Sequence, residues 1–132
     1  MHPDPPAAAR VGPAADVQAA AELLGALSAP LRLSIITLLD EHGSRCVHQL
    51  VEALGAPQPL VSQHLRVLRG ASLVVGERRR REVHYRLVDA HVGAIVRAAV
   101  DHARHAVTDP AAPARAGDAA PGATAAPLPA AG

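Results

Sequence analysis

The chain has 132 residues, with 13 basic residues that are all arginine, 12 acidic residues, eight histidines and a formal net charge of +1. Its one cysteine excludes an intramolecular disulfide framework and any multi-thiolate zinc finger within one chain, and suits a reducing cytosol. Ala, Pro and Gly dominate both ends, so one foldable domain is expected over residues 16–107, between a disordered arm at 1–15 and a disordered tail at 108–132.

The apolar runs are too short to span a bilayer and MHPDPPAAAR lacks a signal-peptide core, so a cytoplasmic protein is expected. A domain of this size buries a modest core, and Tyr85 is its only aromatic residue, so a dimer interface would add needed burial.

In chain order, the first helix is DVQAAAELLGALSAP, with Asp16 as N-cap and Ala20, Leu23, Leu24 and Leu27 spaced for one buried face. Pro30 opens a second helix, PLRLSIITLLDEHG, which turns Leu31, Ile35, Ile36, Leu38 and Leu39 inward and closes at Gly43. CVHQLVEALG is a short third helix presenting Val47, Leu50, Val51 and Leu54. After Ala56 and Pro57, QPLVSQHLRVLRGA reads as a fourth helix with Leu60, Val61, Leu65 and Leu68 buried, and Pro59 tolerated in its first turn. Two short strands, LVVGER and EVHYRL, then flank a turn made of arginines. DAHVGAIVRAAVDHARH is the final helix.

Charge is unevenly placed along these elements. Residues 16–56 hold Arg32 and Arg45 against Asp16, Glu22, Asp40, Glu41 and Glu52. Residues 57–88 reverse the balance, with Arg66, Arg69, Arg78, Arg79, Arg80, Arg81 and Arg86 against only Glu77 and Glu82, which points to a polyanion partner for that half. The outer face of the fourth helix carries donor-rich side chains able to reach base edges and phosphates. Two consecutive short helices followed by a basic hairpin describe a winged helix-turn-helix. The candidate DNA-contacting residues are Gln58, Ser62, Gln63, His64, Arg66 and Arg69 on the helix, with Arg78, Arg79, Arg80 and Arg81 on the wing.

ALSAPLRLSII, CVHQLVEALG, QPLVSQHLRVLR and LVVGERRRREVHYRL together resemble the ArsR/SmtB family of dimeric bacterial repressors across the folded middle of the chain. The resemblance implies a mainly α fold with a small β-hairpin: four helices, two wing strands and a fifth helix, assembled as a homodimer. It also implies a transcriptional repressor that binds an inverted repeat in double-stranded operator DNA and lets go when an inducer binds. The chain departs from the family pattern at two turns: Arg79 and Arg80 stand where many members have a wing-turn Gly, and Ser72 stands where a Gly often ends the recognition helix. Both positions often need positive φ, so a strained, longer or mobile wing turn is expected.

At 100° per residue, His91, Ile95, Ala98, His102 and His105 of the final helix fall on one stripe stepping by four and three, a heptad seam that should lie against a partner. Val92, Val96, Ala99, Val100 and Ala103 form the adjoining apolar face, while Arg97, Asp101 and Arg104 point away. His91 and His102 are about 16 Å apart along a helix, too far for one metal with Zn–N bonds of ~2.0 Å. An antiparallel partner helix resolves this: Asp89 and His91 of one chain meet His102 and His105 of the other, and two-fold symmetry supplies the site twice. Asp89 must then sit at or before the helix start. The same spacing resembles the last-helix metal site of the family's zinc-sensing branch.

Each of these four residues also has an ordinary structural reading, Asp89 as an N-cap, His91 as an accidental surface residue, and His102 and His105 as cations at the helix C-terminus. Three imidazoles and one carboxylate suit Zn(II) as allosteric effector and would also hold Co(II). Nickel-sensing relatives resemble the pattern but recruit further ligands from their tails. The C-terminal tail here has no His or Cys, and His2 and Asp4 are the only comparable N-terminal candidates. Cys46 and His48 resemble a C-x-C site that lacks its second thiol, so Cys46 reads better as a buried residue at a helix start. Other readings are a nickel- or cobalt-sensing repressor, a winged-helix regulator with a non-metal inducer, and an interaction module using the seam. A metalloenzyme fits poorly, because four protein ligands close the coordination sphere.

Overall fold

In the computed structural model, residues 12–108 are described; His2 and Asp4 lie outside them. Proline lacks an amide N–H and has its φ preset for a first turn, and this decides where the first two helices begin. The first, α1 (Pro13–Leu27), starts with Gly12 as N-cap, four residues ahead of Asp16. Asp16 is therefore a first-turn residue and not the expected cap: its N–H donates to the Gly12 carbonyl at 3.0 Å, and its carboxylate sits at the positive end of the helix. The second helix, α2 (Pro30–His42), follows an extended Ala29.

A two-residue strand, β1 (Arg45–Cys46), leads into α3 (Val47–Leu54), where Gln49 Oε1 accepts the Cys46 N–H at 2.9 Å. The chain continues through α4 (Gln58–Gly70), β2 (Val74–Arg79), β3 (Glu82–Leu87) and α5 (Ala90–Thr108). The strands form one antiparallel sheet in the order β1-β3-β2, with Arg45 opposite Tyr85, Cys46 opposite His84, and the hairpin running from the Val74–Leu87 pair to the Arg79–Glu82 pair. Sequence reading finds the hairpin but not β1, because two residues carry no alternation to read.

Ile35, Ile36, Leu50, Val61, Leu65 and Leu68 are fully buried, and Leu27, Leu39, Leu54, Leu73, Val74, Val92 and Val96 complete one core cluster. Each of those side chains removed from water is worth roughly 1.5–3 kcal/mol. Three expected core residues are not in it: Ala20 is exposed, Leu24 is 53% exposed and Leu60 39% exposed. The helix α1 lies at the edge of the domain, so only Leu27 reaches the core while Leu23 and Ala26 pack at its margin. Its Ala20, Val17 and Leu24 are left outward. On α4, Val61, Leu65 and Leu68 take the inward positions, and Leu60 is carried round to the flank.

The end of α4 is closed by two bonds, Ser72 N–H to the Arg69 carbonyl at 3.0 Å and Leu73 N–H to the Leu68 carbonyl at 2.9 Å. With Ser72 at φ +61 and Leu68 and Leu73 both buried, this is a Schellman closure built without glycine. It sets the direction in which the chain leaves the helix for the wing.

Candidate nucleic-acid interface and metal-ligating pairs

The chain turns from α3 into α4 through Gly55, at φ +64, whose N–H closes α3 on the Val51 carbonyl at 2.9 Å. Pro57 and Pro59 then start α4 at once, which fixes its short lead-in. With Val61, Leu65 and Leu68 buried, the opposite side of α4 presents Gln58, Gln63, Arg66 and Arg69 to solvent, and Ser62 half-buried. His64 lies on the flank towards α2, half-buried, with its Nδ1 3.2 Å from Arg32 Nη1. Burial, and after it the neighbouring Arg32 cation, lowers the His64 pKa below the usual imidazole value.

The arginines expected at the hairpin tip divide. Arg78 and Arg79 belong to β2, and only Arg80 and Arg81 form the turn. The turn is a two-residue one with positive φ at its first central residue, Arg80 (φ +60), the arrangement that glycine ordinarily serves in a tight hairpin. The turn is thus short, and its strain is placed at Arg80 and not at Arg79. Among the described residues Arg79 bonds Glu77 Oε1 at 3.3 Å, while Arg66, Arg69, Arg78, Arg80 and Arg81 have no acidic partner.

At the base of the wing, Gly76 allows a close approach. A Cβ there would lie 3.1 Å from Val83 Cγ1, 3.2 Å from Tyr85 Cε1 and 3.6 Å from Arg69 Nη1. The Arg69 guanidinium therefore lies over β2, joining the exposed face of α4 to the wing as one basic surface. This contact, like that of Arg32 with His64, escaped sequence reading, because the partners are far apart in the chain and each alone is an unremarkable residue.

On α5, Val92 and Val96 are buried, Ile95 is half-buried, and Ala99, Val100 and Ala103 of the expected apolar face are exposed. Arg97 is largely exposed, as expected, but it also pairs with Asp40 of α2, whose carboxylate sits against Gly93 where a side chain would otherwise stand. The reason is that α5 lies across α2, so its flank, and not only its apolar face, meets this chain. Arg97, Val100, Asp101 and Arg104 line one side of an open groove of about 470 Å³, with Thr37 and Glu41 of α2 on the other.

The four candidate metal ligands occupy the two ends of the exposed side of α5. Asp89 precedes the helix and caps it, its Oδ1 accepting the His91 N–H at 2.9 Å and the Val92 N–H at 3.2 Å. This is the position the ligand reading requires, and it leaves Oδ2 out of the cap. His91 is almost fully exposed, its Nδ1 3.7 Å from Asp89 Oδ1. His105 Nδ1 is 2.9 Å from the Asp101 carbonyl oxygen and 3.5 Å from Asp101 Oδ2. Only the ring can donate to a carbonyl, so Nδ1 carries a proton, and the neutral ring has its lone pair on Nε2. His102 is exposed and makes no hydrogen bond among the described residues. No group of three or more His, Cys, Asp or Glu within the described residues of one chain could hold a metal ion. Cys46 is buried at the start of α3, and His48 is exposed.

A short helix pair whose second helix exposes a basic, amide-rich face, followed by a hairpin with an arginine turn, defines a winged helix-turn-helix domain. Residues 29–75 match the family described as "Bacterial regulatory protein, arsR family", and the chain belongs to that family. It is 58% identical over 87 residues to the HTH-type transcriptional repressor SmtB of Mycobacterium tuberculosis, covering 66% of this chain and 64% of that protein. It is 45% identical over 93 residues to the HTH-type transcriptional regulator NmtR of the same organism, covering 68% of this chain and 77% of that one. The chain thus spans somewhat less than two thirds of the SmtB repressor's length. Among solved structures, the homodimeric winged helix-turn-helix domain Mb0332 of Mycobacterium bovis superposes with a TM-score of 0.64 at 26% identity, covering 71% of this chain and 86% of that one. The two Mycobacterium tuberculosis relatives are transcriptional regulators by name. No single helix among the described residues is long and apolar enough to cross a membrane.

Proposed function

We propose that this protein is a metal-responsive transcriptional repressor, which binds operator DNA as a homodimer in its metal-free form and is released when Zn(II) binds at two sites shared between the α5 helices. The observation that carries the reading is the placement of Asp89 and His91 at one end of the exposed side of α5, and of His102 and His105 at the other. Neither pair can complete a tetrahedral site alone, and the pairs are too far apart to serve one ion within a chain. An antiparallel partner brings the pairs together twice.

The donor chemistry fits zinc. The Asp89 cap uses one carboxylate oxygen and leaves the other for a ligand, and the Asp101 carbonyl directs the His105 lone pair to Nε2. Metal-bound imidazoles commonly donate their second N–H in this manner. Once bound, the ion would supply a fixed junction between the two α5 helices. All other steps belong to the chain. Val88 N–H donates to the Leu73 carbonyl at 3.1 Å, and Leu73 N–H closes the end of α4, so the segment that carries Asp89 is tied to the recognition helix. The Arg97–Asp40 pair pins the middle of α5 to α2. A change in the angle of α5 is thereby passed to α4, and the difference in zinc affinity between the two dimer forms is the coupling free energy. A His102 ring proton directed at the 70–73 turn, which the family resemblance implies, would add a second tie.

On the DNA side, Gln58 and Gln63 are placed to pair with adenine, Arg66 with guanine or phosphate, and Arg69 and the wing arginines with the flanking backbone. Ser62, half-buried, is the remaining helix contact. The test is operator binding by the purified dimer titrated with Zn(II). Affinity should fall at saturating metal, and an unchanged affinity would overturn the reading. Spectra of the Co(II) form distinguish four-coordination from the six-coordination that a nickel-type site requires.

A further inference from the structure

Arg32 is on α2, outside every residue assigned to DNA so far, yet its Nη1 lies 3.2 Å from His64 Nδ1 on the recognition helix. A guanidinium is only a donor, so Nδ1 of His64 must be the acceptor, and the ring proton is then on Nε2, at the opposite edge of the imidazole. Among the described residues, the buried side-chain polar atoms without a partner are Arg32 Nε, Ser34 Oγ and Ser44 Oγ. His64 Nε2 is not one of them and has no protein partner among the described residues, so its N–H opens to solvent. Arg32 Nε is enclosed by protein, so the guanidinium stands packed at its base while Nη1 reaches His64.

We propose that Arg32 is a positioning residue for DNA recognition: it locks His64 as the neutral Nε2–H tautomer, so that the flank of α4 offers a single hydrogen-bond donor to the nucleic acid. Such a donor matches the acceptors of the major-groove edge, guanine O6 and N7, adenine N7 and thymine O4, or a phosphate oxygen, and it rejects the amino groups of cytosine and adenine. The lowered His64 pKa, from burial and then from Arg32, agrees with a ring kept neutral at physiological pH. The inference rests on the reading of α4 as the DNA-contacting helix.

Two measurements on the full-length dimer test it. In protein carrying ¹⁵N-labelled histidine, two-dimensional NMR should show the His64 proton on Nε2 in the wild type, a mixed or reversed tautomer in Arg32→Met, and restoration in Arg32→Lys, which keeps a donor. A proton on Nδ1 in the wild type, or a tautomer indifferent to Arg32→Met, overturns the proposal. The second measurement is affinity for a duplex selected from a random-sequence pool by the wild-type protein. Arg32→Met and His64→Asn should each weaken binding about fivefold to tenfold, the effect of one lost hydrogen bond, whereas His64→Gln, whose amide nitrogen reaches the Nε2 position, should stay within about threefold. Equal affinities for all variants would reduce the contact to a packing role. If the wild type selects no duplex, the reading of α4 fails and the recognition role of Arg32 falls with it, while the NMR result still reports on the tautomer.

Discussion

At the scale of single residues, two positions among the described residues hold a backbone conformation that their side chains disfavour. Ser72 at φ +61 and Arg80 at φ +60 both sit in the left-handed region, where a residue with a Cβ is less stable than glycine by about 1–2 kcal/mol. Ser72→Gly should raise stability by up to about 1 kcal/mol, part of the gain being lost to the freer unfolded chain, and chemical denaturation would show it as a higher midpoint at unchanged slope. Arg80→Gly should stabilise comparably but weaken DNA binding, since it removes a wing cation. His64 adds a pH effect. Its folded pKa is lowered, so below the ordinary imidazole value near 6.5 the unfolded chain takes up the proton first. Stability from this residue is therefore complete above about pH 6.5 and declines as pH falls through the folded value. Denaturation midpoints at pH 7.5 and 5.5 should differ less in His64→Gln than in the wild type.

Among the elements, α4 and α5 show how far patterning reaches. The alternation of buried leucines and exposed Gln and Arg on α4 is legible in QPLVSQHLRVLR, because one helix face faces the core and the other does not. Leu68→Ala should accordingly cost about 2–5 kcal/mol, whereas Arg66→Gln should leave the denaturation midpoint within about 0.5 kcal/mol and lower DNA affinity. For the wing, substitution of Arg78, Arg80 and Arg81 by Gln should flatten the dependence of log affinity on log salt by about 0.9 for each phosphate contact removed. On α5 the periodicity put His91, His102 and His105 on one side, which is exposed in this chain, but gave no sign of a partner for Arg97, whose side chain stays 62% exposed. Arg97 in fact meets Asp40, because the flank of this helix rests on α2. Gly93 is the close point of that crossing, so Gly93→Ala should destabilise by about 1–3 kcal/mol in the wild type, and by less where Asp40→Ala has removed the obstructing carboxylate.

For the molecule as a whole, the proposed metal sites exist only between chains, and this makes a complementation test possible. Asp89→Ala and His102→Ala each break both sites in their own homodimer. In the mixed dimer of the two variants, one site has lost both a carboxylate and an imidazole, and the other keeps all four ligands. The mixed dimer should therefore recover one tight zinc site, seen by isothermal titration, while either homodimer retains none. Recovery of no site would place the ligands within single chains or elsewhere. In the His102→Ala homodimer, DNA binding should persist and its response to zinc should vanish, as a passive histidine seam would not require.

Local periodicity, proline placement and charge were enough to read from the chain alone the helix order, the inward residues of α2 and α3, those of α4 apart from Leu60, the basic wing and the spacing of Asp89 and His91 from His102 and His105 along α5. Only the tertiary structure decided that β1 joins the wing sheet, that α1 leaves Leu24 outward, that Asp89 uses one oxygen as a cap, and that Arg32 holds His64. Those features depend on groups far apart in the chain, and local spacing carries no record of which distant side chain fills the space beside it.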